Sequence, residues 1–313
     1  MRYEKPYNQR SKVRASDEPN KKYILVYEGE ETEAIYFNGI KEYKNQLKIN
    51  PLIELISLEK TFTERGWSNP KKIVEKIERQ LDENKNGRYS KLSIIEIVMD
   101  YLEEVGILNK DDNKNSKNIK KNIQQIVNDF KRKEFYKNEL TDIVEVTIKN
   151  LSHSIEQIID SDIIYNIITA RNIVYSEGFD KICFIFDRDK ESFLATEKNN
   201  QYEYVSKVCK DNNYGLYITN PCFEFWLLLH FNDVLCINID DIKSNKKTKK
   251  KSFCEQELLK RHSSYSKSKY DFQFFINRIE VALKNEQHYC EDVLGLESKV
   301  GSNIGLLIKE IRK

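Results

Sequence analysis

Two short apolar runs in this chain stop abruptly on acidic residues. Tyr23-Ile24-Leu25-Val26-Tyr27 runs into Glu28-Gly29, and Ile182-Cys183-Phe184-Ile185-Phe186 runs into Asp187-Arg188-Asp189. Apolar runs this short, bounded by turn-forming residues, read as strands buried on both faces. Between them the spacing turns helical at Tyr36, Ile40, Tyr43 and Leu47. A second strand is predicted from Leu52 to Leu58, after Pro51. Ser68-Asn69-Pro70 then supplies a cap with proline at the first helical position, opening a helix that carries Ile73, Val74, Ile77 and Leu81 on one face. Strand, helix, strand and helix in this succession predict an α/β fold built on a parallel sheet.

That pattern breaks off near residue 91. Ile94, Ile95, Val98 and Leu102, then Ile119, Ile123, Ile126 and Phe130, keep helical spacing on either side of a polar stretch at 109–118. The α/β pattern returns with a helix expected to end at Gly178, the strand at 182–186, a helix near 200–211 and a strand from Tyr214 to Ile218. The predicted layout is a basic arm at 1–22, a discontinuous α/β core at 23–90 and 166–232, a helical insertion at 91–165, and a mainly helical region at 233–313.

Composition limits the function classes. Lys and Arg total 52 against 50 Asp and Glu, a net +2, so a nucleic-acid surface would have to be local. Its densest basic run is Lys246-Lys247-Thr248-Lys249-Lys250-Lys251. Cys183, Cys209, Cys222, Cys236, Cys254 and Cys290 form no CxxC pair, which points to reduced thiols and away from a zinc module. Residues 1–22 are polar and lack the apolar core of a signal peptide, and no stretch approaches the ~20 apolar residues of a membrane span. The expected location is the cytoplasm, with no membrane partner.

In a parallel sheet all strand C-termini share one edge, and ligands bind there. Glu28, Asp187 and Asp189 would meet at that edge, with Asn220 and Glu224 just past the last strand. Carboxylates crowded together repel and raise one another's pKa. A hard divalent ion with oxygen ligands resolves the repulsion. Residues i and i+2 of an extended segment point the same way, so Asp187 and Asp189 suit a common ion. Each motif taken alone reads equally well as a helix cap or turn, Glu28 to Glu33 as an acidic first turn included. Their conjunction, each directly after an apolar strand, is what points to a site. Glu33 and Glu224 are balanced between site residue and cap. Phe223, Phe225 and Trp226 are expected to pack the core. His230 leans towards a structural role, and Lys246, Lys247, Lys249, Lys250 and Lys251 stand between a solvated loop and a phosphate contact.

The residues also carry a family resemblance. Val26-Tyr27-Glu28-Gly29-Glu30-Glu31-Thr32-Glu33, continuing to Tyr36-Phe37, resembles the opening motif of the RloB-like (AbiL second-component) proteins of the TOPRIM superfamily. That family is associated with phage resistance. Phe186-Asp187-Arg188-Asp189 resembles its DxD motif. Asn220-Pro221-Cys222-Phe223-Glu224-Phe225-Trp226 with His230-Phe231 resembles its third block, and Tyr265-x-Lys267 is a weaker match. The likeness covers about 23–85 and 170–312; the insertion is a departure from the compact members.

The resemblance implies a TOPRIM-like core and a Mg²⁺-dependent nuclease, with Mn²⁺ able to substitute. Glu28 would serve as general acid/base or ligand, with Asp187 and Asp189 as metal ligands; Glu33, Asn220, Glu224 and His230 are outer candidates. It further implies an effector of abortive infection that acts on RNA (tRNA included) or DNA under a separate ATPase, since this sequence has no GxxxxGK[ST] loop. A homodimer is a further expected partner arrangement. The rival reading is a regulatory or sensor subunit whose TOPRIM-like core binds a phosphorylated ligand without cutting it.

Overall fold

The computed structural model describes residues 20–29, 31–58, 69–108, 113–151, 159–188, 195–196, 199–248 and 250–313. The first strand β1 (Lys21–Tyr27) leads into helix α1 (Thr32–Glu42), strand β2 (Ile53–Ser57) and helix α2 (Pro70–Asn86). Asn69 caps α2 by accepting from the Lys72 N–H at 3.2 Å, and Pro70 opens the helix where its missing N–H costs nothing.

Between α2 and the return of the core, the chain builds a separate apolar cluster. Strand β3 (Arg88–Ser90) pairs with β4 (Glu134–Tyr136), and helices α3 (Lys91–Glu104), α4 (Asn113–Asp129), α5 (Leu140–Lys149) and α6 (Ser161–Ala170) enclose Ile94, Val98, Tyr101, Phe135, Val144 and Ile164. The cluster overruns the expected 91–165 at both ends, from Tyr89 to Ile168, and contains a strand pair that helical periodicity could not show.

The core resumes at β5 (Lys181–Asp187). The helix expected to reach Gly178 stops at Ala170; Gly178, at φ 80°, lies in a turn before β5. A two-residue strand pair, β6 (Ala195–Thr196) and β7 (Asn199–Asn200), precedes helix α7 (Gln201–Asp211), strand β8 (Gly215–Asn220) and helix α8 (Phe223–Leu228). Four of these strands form one sheet in the order β2-β1-β5-β8, all parallel, and β9 (Gly301–Ser302) is added antiparallel at the β8 edge. The protein is thus a mixed α/β fold on a mainly parallel sheet. Two expectations need correction. The sheet is not wholly parallel, because β9 returns from the helical C-terminal region. The strand expected at Tyr214–Ile218 extends to Asn220, so Asn220 lies within β8 and not beyond it.

Side chains alternate along each strand and divide between two faces. Leu25, Tyr27, Cys183, Ile185 and Tyr217 face α1 and the helices after residue 222. Ile24, Val26, Phe184, Phe186 and Ile218 face α2 and α7. The sheet is therefore the middle of three layers. The last helix (Ile304–Ile311) is fastened near the strand beginnings by Glu310. Its carboxylate accepts from Tyr23 Oη at 2.9 Å, Tyr217 Oη at 3.0 Å and Lys181 Nζ at 2.7 Å. Among the described residues, no helix is long and apolar enough to cross a membrane.

Candidate functional site

Parallel pairing brings the strand ends together. Tyr27 lies opposite Ile185 and Asp187 opposite Thr219, so Glu28, the first residue past β1, stands beside the acidic end of β5. The turn after β1 depends on glycine. The Gly29 N–H donates to Glu33 Oε1 at 3.2 Å, and a Cβ on Gly29 would fall 1.9 Å from Glu33 Oε2. Glu33 is therefore folded back over the turn as a cap, and it also belongs to the acidic group. Burial pushes its carboxyl up, and Glu224 adds to the push against the opposing charge of Lys267.

Asp187 is the centre of this electrostatics. Burial first, then the charges of Glu33, Glu28 and Glu224, hold its carboxyl well above the ordinary carboxylate range. Thr219 Oγ1 donates to Asp187 Oδ1 at 2.5 Å and works the other way. Four carboxylates, carried by the turn after β1, α1, β5 and α8, thus act on one another, although they span residues 28 to 224. Glu224 is 3 % exposed, and its Oε1 lies 2.7 Å from Lys267 Nζ and 3.4 Å from the Tyr265 hydroxyl.

A cleft of about 870 Å³ opens on this group. Asp187, Asn220 and Glu224 line it together with Arg188, Lys246 and Lys247. Asn220 is held in place by donating to the Leu296 carbonyl at 2.8 Å, which makes it a fixed wall residue. The basic run divides: Lys246 and Lys247 face the cleft, whereas Lys251 is exposed and 3.7 Å from Glu255. Lys250 does not line the cleft; Lys249 lies outside the described residues.

His230 is not part of the cleft. It is fully buried, with Nε2 3.2 Å from the Tyr36 hydroxyl and Nδ1 3.1 Å from the Trp226 carbonyl, and burial pushes its pKa down to about 3. A neutral imidazole wedged among Tyr36, Trp226 and Phe275 is a packing residue, and it leaves the set of outer site candidates. Phe223, Phe225 and Trp226 are likewise buried core.

Asp189, the expected partner of Asp187, lies outside the described residues. Among the described residues, no three His, Cys, Asp or Glu side chains are drawn close enough to hold a metal ion as they stand. The chemistry of the donors fits a hard ion nonetheless: the clustered groups are carboxylates, and their mutual repulsion is what a divalent cation relieves. The sequence names Arg188 and Lys267 only as members of motifs, without a role at the site, and Thr219 is detectable only through strand register.

The fold and site define an α/β protein with an acidic, lysine-rimmed cleft at the C-terminal edge of a mainly parallel sheet. The RloB-like protein family model matches residues 23–135 and 99–311, and the chain belongs to the RloB-like family. No curated protein and no solved structure matches it.

Proposed function

We propose that this protein is a Mg²⁺-dependent nuclease with a TOPRIM-like site. It hydrolyses phosphodiesters as the effector of an anti-phage system and is governed by a partner ATPase. The observation carrying the chemistry is Asp187, which lines the cleft and whose carboxyl is raised first by burial and then by Glu33, Glu28 and Glu224 from three other elements. Like charges beside such a group cost stability, and a divalent cation bound there would neutralise them. The defence role and the ATPase follow from the family resemblance.

Asp187 and Asp189 would hold the ion, with Glu28 as a third ligand or the proton-transfer group. Bound there, the ion supplies charge stabilisation to a phosphate and lowers the pKa of a water. The chain's own residues do the rest. Thr219 fixes the rotamer of Asp187, and Glu28 stands on a turn where it can take a proton from an attacking water. Lys246 and Lys247 offer point charges to phosphates along the cleft.

One observation favours the sensor reading: Lys267 already neutralises Glu224 without a metal. A panel of total RNA, tRNA, plasmid and single-stranded DNA, with Mg²⁺ and with or without the ATPase, separates the two. Cleavage lost in Asp187→Asn supports the nuclease. Binding without cleavage in every arm supports the sensor.

A further inference from the structure

We propose that Lys267 is a phosphate-binding residue of the cleft, parked on Glu224 until ligand arrives. The inference rests on the metal-and-phosphate reading of the same site and adds the residue that would receive the phosphate.

The two partners of this ion pair differ sharply in exposure, and the pair lies on the cleft. Glu224 is 3 % exposed, whereas the Lys267 side chain is 52 % exposed and its ammonium reaches in from the cleft wall to lie 2.7 Å from the carboxylate. Burying Glu224 costs desolvation, and the ammonium offsets part of it. The stem that delivers the ammonium is half-exposed, whereas its base is fixed. Ser266 and Lys269 exchange backbone hydrogen bonds of 3.0 Å across a tight turn. Thr32 Oγ1 donates to the Lys267 carbonyl at 3.3 Å, and Tyr270 Oη donates to the Thr32 carbonyl at 2.7 Å. The turn is thus anchored to the start of α1, one residue from Glu33. Lys267 can swing without any backbone rearrangement.

Charge sets the direction of the swing. Glu28, Glu33, Asp187 and Glu224 act on one another, and Lys267 is a cation placed directly on this group. A divalent ion entering the cluster would take over the neutralisation of Glu224 and repel the ammonium. A compact ammonium on a four-carbon stem then pairs best with a phosphate in the same cleft. Lys246 and Lys247 begin just after Asn245, the left-handed end of helix Ile239–Ser244, on an exposed loop. They are suited to a flanking phosphate, and Lys267 to the one nearest the carboxylates.

The test uses the full-length chain, Mn²⁺ binding followed by electron paramagnetic resonance, and thymidine 3′,5′-bisphosphate as the phosphate probe. Lys267→Met should bind Mn²⁺ tighter, by roughly three- to tenfold, because the competing charge is gone. Its bisphosphate affinity in Mn²⁺ should fall about tenfold, the worth of one charge-assisted contact. Glu224→Gln supplies an independent arm: it releases the ammonium, so bisphosphate binding without metal should rise, and Glu224→Gln/Lys267→Met should lose the gain. A Lys267→Met protein with weaker Mn²⁺ binding, a lower melting temperature and unchanged bisphosphate affinity would make Lys267 a mere prop for Glu224. Wild type that binds no bisphosphate overturns the assignment as well. If these shifts appear and no nucleic acid is cut, the nuclease reading falls and the lysine assignment stands. If nucleic acid is cut and Lys267→Met shows no shift, the lysine assignment falls and the nuclease reading stands.

Discussion

Glu96 is buried in the protein and Asp187 is half-buried at the cleft, and the surroundings of the two carboxylates are opposite. Glu96, on α3, meets Arg79 at 2.7 Å, Arg171 at 3.2 Å and Lys76 at 4.0 Å, and Arg171 also pairs with Asp100. Burial alone would raise the Glu96 carboxyl, but the three cations outweigh it and hold it below the usual range. Asp187 receives the reverse treatment, since burial and three like charges push in the same direction. Where this fold needs charge to join the helical insertion to α2, it supplies matching cations. At the sheet edge Asp187 is pushed up by burial and by Glu33, Glu28 and Glu224, and Lys267, which pairs with Glu224, is half-exposed. A carboxylate ringed by cations suits an architectural role, and a carboxyl held up by like charges beside a cleft suits a ligand site.

The largest effects that test this contrast are on activity. Asp187→Asn and Asp189→Asn should abolish cleavage, with extra Mg²⁺ giving partial rescue because a charged ligand is gone. Glu28→Gln should slow cleavage by ~10²–10⁴-fold while metal binding largely survives, if Glu28 serves as acid or base. Single-turnover rates beside Mn²⁺ titrations check both. Metal affinity unchanged in Asp187→Asn would remove the carboxylate group from the reaction.

On stability the order inverts. Arg171→Met removes the ion pair with Asp100 and one of the three cations around Glu96, and should cost about 3–5 kcal/mol in a denaturant melt. Asp187→Asn relieves repulsion, so without metal it should melt no lower than wild type, and higher near neutral pH. A lower melting point for both variants would erase the distinction between the two clusters.

A third buried carboxylate sharpens the comparison away from the cleft. Glu286 accepts from the Gly305 N–H at 2.9 Å, and burial pushes its pKa up to about 8 from an ordinary value of 4.5. The native state then holds a proton that the unfolded chain releases between those pH values. The stability this gives is complete below pH 4.5 and is lost as pH rises towards about 8. Glu286→Gln mimics the protonated form. Its melting temperature should match wild type near pH 5 and exceed it near pH 8; a constant gap across that range would mean that Glu286 does not titrate there.

The smallest effect is in the basic run. Lys246→Gln with Lys247→Gln should flatten the salt dependence of nucleic-acid binding by roughly 0.7–0.9 log units per lost contact. Lys250→Gln with Lys251→Gln should leave the slope alone, because only the first pair lines the cleft. Equal slopes for the two double variants would return the whole run to a solvated loop.

The sequence by itself determined the four parallel strands of the core. Continuous apolar runs at 23–27 and 182–186 have no other stable home than the middle of a covered sheet, and Asn69-Pro70 fixes where α2 begins whatever lies around it. Backbone sterics and burial are local demands, so local sequence reveals them. The nearness of Glu28 to Asp187 was inferable too, because parallel strands end together, whereas Asp189 lies outside the described residues. What the tertiary structure alone decided is which neighbours each group has. Periodicity marked His230 as a residue on an apolar helix, but only packing against Tyr36 and Trp226 shows it neutral and enclosed. Neither β9 nor the strand pair in the insertion carries an apolar run long enough to announce itself; their partners lie 81 and 44 residues away along the chain, as the pairs Asn220–Gly301 and Ser90–Glu134 show. The same holds for Lys267: its spacing from Tyr265 marks it in sequence but names no partner, and its placement on Glu224 comes from a turn tied to a helix more than two hundred residues earlier. Charge acts through space, and space is what the chain sets only when it folds.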